Sequence, residues 1–178
     1  MLEEFRRTVT GFDESGKSVF VSQEALPELT TDIFHETYWK VWGTQDGLPQ
    51  IGSNDPVVLA PHFPGPGGTR LTLMRFPPRA AYETPQQPPT AAQLADAERK
   101  FPGLLGAHDE GSRHHASESV DYAFVIEGEL TLELDDGAVE VLKAGSFVVQ
   151  RGTRHSWRND SEQPVLVLFV VMGAERSA

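Results

Sequence analysis

The chain has 178 residues, 39% hydrophobic and 23% charged, which fits one domain with a sizeable core. Its net charge is −11 and it has no Lys/Arg cluster of the kind that phosphate backbones need, so no nucleic-acid partner is expected. No apolar run approaches the roughly 20 residues that span a bilayer, and the absence of cysteine excludes disulfides, thiolate catalysis and Cys-ligated metal.

The amino terminus, Met1-Leu-Glu-Glu-Phe-Arg-Arg, mixes acids and bases and lacks an apolar stretch, so no signal peptide is expected. Together with the missing cysteines this suits a cytoplasmic protein. Residues 6–12 and 18–22 are β-rich and flank Asp13-Glu-Ser-Gly-Lys17, which predicts a hairpin. Residues 31–43 read as a further extended piece. Its aromatics Phe34, Tyr38 and Trp42, with His35 here and His62 later, suit a ligand box less well than core or interface packing.

From Gly43 to Gly68 the composition turns to Pro, Gly, Asn and Asp, so this is loop. It is longer than the ~12–15 residues of an ordinary structureless connection, so it should pack over something. Thr69-Arg-Leu-Thr-Leu-Met-Arg-Phe76 alternates cleanly and is a strand, ended by Pro77-Pro78. Thr90 to Lys100 is the single good helix, capped by Thr90 and stopped at Phe101-Pro102. It is either a lid over a barrel mouth or a solvated surface turn.

Short strands follow at regular spacing: 119–126, 129–134, 138–142, 146–150, 154–158 and 165–172. Turns every 8–12 residues and no alternating helices predict an all-β sandwich or barrel. The regular part is residues 69–178, and residues 1–68 form an amino-terminal β extension packing on it or on a partner subunit. Strand edges in that extension need covering.

The chemistry sits between Gly111 and Asn159. The first half runs G-S-R-H-H-A-S-E-S-V-D-Y-A-F-V-I-E-G to Gly128, the second G-S-F-V-V-Q-R-G-T-R-H-S-W-R-N from Gly145. Strand parity puts His115, Ser117 and Asp121 on one face, and His155, Trp157 and Asn159 on another. Two imidazoles and a carboxylate on apolar strands are costly unless paired, and together they make a mixed N/O site for a divalent transition metal. Parity favours His115 over His114 as the ligand; a β-bulge would reverse that choice. Trp157 is either pocket wall or core filler. His35, His62 and His108 are expected at the surface. Arg70 or Arg75 could hold a substrate carboxylate. No Gly-x-Ser-x-Gly elbow supports Ser117 as a nucleophile.

These residues resemble the two conserved motifs of the cupin superfamily. Asp121 stands seven residues before Gly128, where the first motif has Glu, which gives His115 the first His position and Ser117 the second. Gly145, Gly152, His155 and Asn159 match the second motif, with Arg151 near the usual Pro. The departures are Ser117 in place of a metal-binding His and Asp121 in place of Glu. The resemblance implies a double-stranded β-helix, the jelly-roll barrel, with one short helix. It also implies a metal site of His115, Asp121 and His155, holding Fe, Mn, Ni or Zn. A hydroxyl is a poor ligand for these metals, so Ser117 is expected to hydrogen-bond a metal-bound water or the substrate, and Ser117 and Trp157 are the expected catalytic residues. The implied activity is that of a dioxygenase, isomerase, dehydratase or decarboxylase on a small, partly hydrophobic, oxygen-bearing molecule. The alternative is a cupin that binds a metabolite and catalyses nothing. Cupins commonly pair through strand edges, so a homodimer is expected.

Overall fold

In the computed structural model, the described residues are 4–51, 57–83, 87–109 and 112–177. β1 (Arg6–Phe12) and β2 (Ser18–Ala25) form an antiparallel hairpin. Its loop closes on Asp13, whose Oδ1 accepts from the amides of Ser15 and Lys17 at 2.8 and 3.0 Å. β3 (Thr37–Thr44) and β4 (Thr69–Phe76) pair antiparallel across the long loop.

The remaining strands are β5 (Ser119–Glu127), β6 (Glu129–Glu133), β7 (Val139–Lys143), β8 (Phe147–Arg151), β9 (Ser156–Arg158) and β10 (Val165–Gly173). One sheet runs β3-β4-β10-β5-β8 and a second runs β7-β6-β9. They face each other across one core, in which Phe76, Ala123, Val125 and Val167 from the first meet Leu130, Leu132 and Leu142 from the second. This is the expected all-β jelly roll. Period-2 alternation drives it: Ser119, Asp121, Ala123 and Val125 are buried on β5 while Tyr122 is exposed.

The corners carry the expected glycines. Gly128 has φ +83°, and a Cβ there would come within 2.9 Å of Val165 Cγ2, so the β5–β6 turn accepts only glycine without strain. Asn159 ties a neighbouring corner: its Nδ2 donates to the Pro77 and Gln163 carbonyls at 2.9 and 2.7 Å, and its Oδ1 accepts from Ser161 N.

Among the described residues three α-helices stand where one was expected: α1 (Ala80–Glu83), α2 (Ala91–Lys100) and α3 (Leu104–Ala107). α2 starts in a capping box, Thr90 with Gln93, as the sequence indicates. α1 and α3 are single turns, too short to leave a periodic trace. The insertion is not a solvated turn. Ala97, Phe101 and Leu104 are buried, and Phe101 and Leu104 pack on Tyr38 over one end of the barrel. None of the described helices is long and apolar enough to cross a membrane.

Candidate functional site

The barrel, the insertion and the loop before β4 enclose a cavity of about 530 Å³. Phe34, Phe63, Met74, Phe76, Leu104 and Phe169 supply much of its apolar wall. His115, Asp121, His155 and Trp157 all line it: Asp121 from β5, Trp157 from β9, and the two histidines from the segments just before each. Ser117 does not. It is buried with its hydroxyl 2.7 Å from that of Ser119.

His115 and His155 are joined through their backbones in an isolated antiparallel bridge. That bridge sets their rings side by side, 4.4 Å between centroids. His155 Nδ1 lies 2.8 Å from the Thr153 carbonyl, which can only accept, so Nδ1 carries the proton and Nε2 keeps its lone pair. His115 Nδ1 is buried and makes no hydrogen bond of good geometry, its ring having only the Arg113 backbone as a weak polar neighbour. His114 turns instead to Ser112, with its Nδ1 3.2 Å from the Ser112 hydroxyl.

Three histidines expected at the surface line the cavity: His35, His62 and His108. The correction has a physical cause. The loop that carries His62, the insertion that carries His108 and the segment before β3 that carries His35 all fold onto the barrel, which no local pattern encodes. His108 bridges His115, ring centroids 4.9 Å apart, and its Nδ1 sits 2.9 Å from the Leu104 carbonyl. Burial drives His62 and His115 down to about 3, helped by Lys40 beside His62 and by His155 beside His115. His155 is lowered for the same reason. Asp121 moves the other way. Burial raises its carboxyl to about 6, against the hydroxyl of Ser119.

The expected carboxylate clamps are otherwise engaged. The Arg70 guanidinium donates to the carbonyls of Thr44, Ala60, Pro61 and Thr69 at 2.7–3.0 Å, fastening the loop to β4. Arg75 stacks over Trp39 at 4.8 Å. At the cavity mouth, Arg113 and Tyr82 both donate to the buried Glu36, at 3.2 and 2.9 Å.

In kind, the donors suit a divalent transition metal: neutral imidazoles and a carboxylate oxygen, Asp121 Oδ1, buried without a partner. They are not gathered into a closed site. Among the described residues no three His, Asp or Glu side chains are grouped so that, as they stand, they could hold one ion.

Comparison with known proteins decides the family. The family described as "Cupin domain" matches residues 105–171. "Cupin-domain-containing oxidoreductase fogC" of Aspergillus ruber is 38% identical over 93% of this chain and 71% of its own length. The chain belongs to the cupin family. This cupin is also 53% identical to "Phomopsin biosynthesis cluster protein C'" of Diaporthe leptostromiformis, over 87% of this chain and 70% of that protein. "Phomopsin biosynthesis cluster protein D" of the same organism matches with the same figures.

Sequence reasoning missed His35, His62, His108 and Gln150, all in the cavity wall. Only Gln150 left a signal. On β8 it alternates inward while Phe147, Val149 and Arg151 are exposed.

Proposed function

We propose that this cupin is a metal-dependent enzyme of oxidoreductase type, acting inside the barrel on a small, partly hydrophobic, oxygen-bearing molecule. One observation carries the reading: a buried carboxylate oxygen of the cavity wall, Asp121 Oδ1, has no hydrogen-bond partner among the described residues. Unpaired buried polar groups are costly and are kept where a ligand satisfies them. The names of relatives such as fogC support the redox assignment.

His115, His155 and Asp121 would hold the ion, with iron, manganese, nickel or zinc as candidates. A redox-active ion there would bring dioxygen and the substrate oxygen together. The chain's own part is clearer. Burial keeps the imidazoles unprotonated at neutral pH. The Thr153 carbonyl fixes the His155 tautomer. Ser117 acts at a distance, through Ser119, on the Asp121 carboxyl. Trp157, edge-on to both His155 and Phe169 at 5.5 Å, walls the substrate and excludes water.

The ungathered ligands favour a second reading, a small-molecule binder without catalysis. Elemental analysis separates the two. Stoichiometric metal, lost in His155→Ala, supports the enzyme; metal-free wild type that still binds aromatic metabolites supports the binder. Oxygen consumption during turnover then distinguishes dioxygenase chemistry from isomerase, dehydratase or decarboxylase chemistry.

For assembly, residues 1–68 are read as an extension that covers a barrel edge or a second copy of the chain. Exposed Phe20 and Val21 on β2 and Phe147 and Val149 on β8 support a homodimer.

A further inference from the structure

Among the described residues four buried side-chain polar atoms lack a hydrogen-bond partner: Arg7 Nε, His115 Nδ1, Asp121 Oδ1 and Gln150 Nε2. The last three belong to residues lining the same cavity. Gln150 is only 5% exposed, and no function described so far uses it.

Its setting is specific. Gln150 on β8 is the direct cross-strand partner of Asp121 on β5, so both side chains stand on the inner face of the sheet. The amide is held from its other end: the Thr153 hydroxyl donates to Gln150 Oε1 at 2.5 Å. That leaves Nε2–H, a donor, beside the free acceptor Asp121 Oδ1. The two do not bond to each other, since each lacks any partner. Turning the amide over would set acceptor beside acceptor, so the donor orientation is the favourable one.

We propose that Gln150 is a substrate-binding, specificity-determining residue, whose Nε2–H donates to a neutral oxygen of the bound molecule, a hydroxyl or a carbonyl, beside Asp121. A carboxylate group fits this place poorly. It would enter an apolar wall next to another carboxyl, and the cationic lining residues Arg70 and Arg113 are spent on carbonyls and on Glu36. A hydroxyl fits best, because it accepts from Gln150 and donates to Asp121 at once. The inference rests on the cavity being the ligand site and is independent of the metal.

The test uses matched probes on the EDTA-treated protein: 2-naphthol, 2-methylnaphthalene and 2-naphthoate, titrated by calorimetry. Wild type should bind 2-naphthol about five- to tenfold more tightly than 2-methylnaphthalene, the yield of a hydrogen bond or two in a buried site. 2-Naphthoate should gain nothing over 2-methylnaphthalene. In Gln150→Leu and in the closer-shaped Gln150→Met, the preference for 2-naphthol should disappear. Both variants should melt no lower than the parent, because they remove an unpartnered buried donor and return the exposed Thr153 hydroxyl to water. Their metal content should equal that of wild type. Equal binding of naphthol and methylnaphthalene by wild type, as when a bridging water already satisfies the pair, overturns this inference alone. So does a naphthol preference that survives in both variants, or a preference for naphthoate. Binding of none of the probes overturns the cavity reading and this inference with it.

Discussion

The amide of His115 donates to the His155 carbonyl and the amide of His155 donates back to His115, both at 2.9 Å. This two-bond bridge, rather than a continuous strand, holds the imidazoles together, since β5 begins at Ser119 and β9 at Ser156. Removing either ring leaves the bridge intact. His115→Ala and His155→Ala should therefore fold, with unchanged circular dichroism, yet purify nearly metal-free. Ser117→Ala should lose at most the roughly 10–100-fold in affinity expected of a group behind the ligands. His114→Ala, facing Ser112, should bind metal like the parent; metal lost there but kept in His115→Ala would refute the assignment.

Asp121 should be a burden to the metal-free fold. Its carboxyl is raised from 3.8 to about 6, so its folded form is favoured below pH 3.8 and that advantage is lost as pH rises through 6. At pH 8 the penalty is about 3 kcal/mol. Asp121→Asn should melt higher than EDTA-treated parent at pH 8 and match it below pH 4. Equal melting temperatures at both pH values would contradict the burial argument.

His62 gives the opposite pH signature. Its imidazole is held down at about 3 against 6.5 in the unfolded chain, first by burial and then by Lys40. The folded state binds fewer protons, so stability is complete above pH 6.5 and falls between 6.5 and 3. One such group contributes up to about 1.4 kcal/mol per pH unit in that window. His62→Phe, which keeps the ring contacts with Tyr38 and Phe101, should flatten the urea-unfolding free energy between pH 7 and 5. A slope identical to the parent's counts against a buried neutral His62.

Arg70 should prove structural. Its side chain satisfies four backbone carbonyls of the loop and of β4's own start. Arg70→Met leaves them without a donor and should cost about 2–4 kcal/mol. Hydrogen exchange should rise first in residues 57–64. A loss of ligand binding with no change in stability would point back to a role as carboxylate clamp.

Assembly is checked by light scattering. A dimer mass at micromolar concentration, reduced to a monomer by Phe147→Lys with Val149→Lys, is the expected result. A monomeric parent would remove the homodimer.

Much of the barrel follows from local pattern. β5 and β8 alternate inward and outward, and Gly128, Gly137, Gly145 and Gly152 punctuate the strands from 119 to 158, so their positions and inward residues, Asp121 among them, can be read off the chain. The capping box of α2 is equally local. What the pattern could not carry is contact between segments far apart in sequence. His62 and His108 look like loop residues because their neighbours have no period. They enter the wall only because Arg70 fastens the loop to β4 and Phe101 seats the insertion on Tyr38. Ser117 shares the nominal parity of His115 and Asp121, yet no strand runs between the His115 bridge and Ser119 and the chain bends at Glu118, and Ser117 packs on Ser119. Sequence alone therefore determined the family fold and the inward-facing set on regular strands. Tertiary packing decided which irregular segments close the cavity, since burial of a loop is a property of what it lands on.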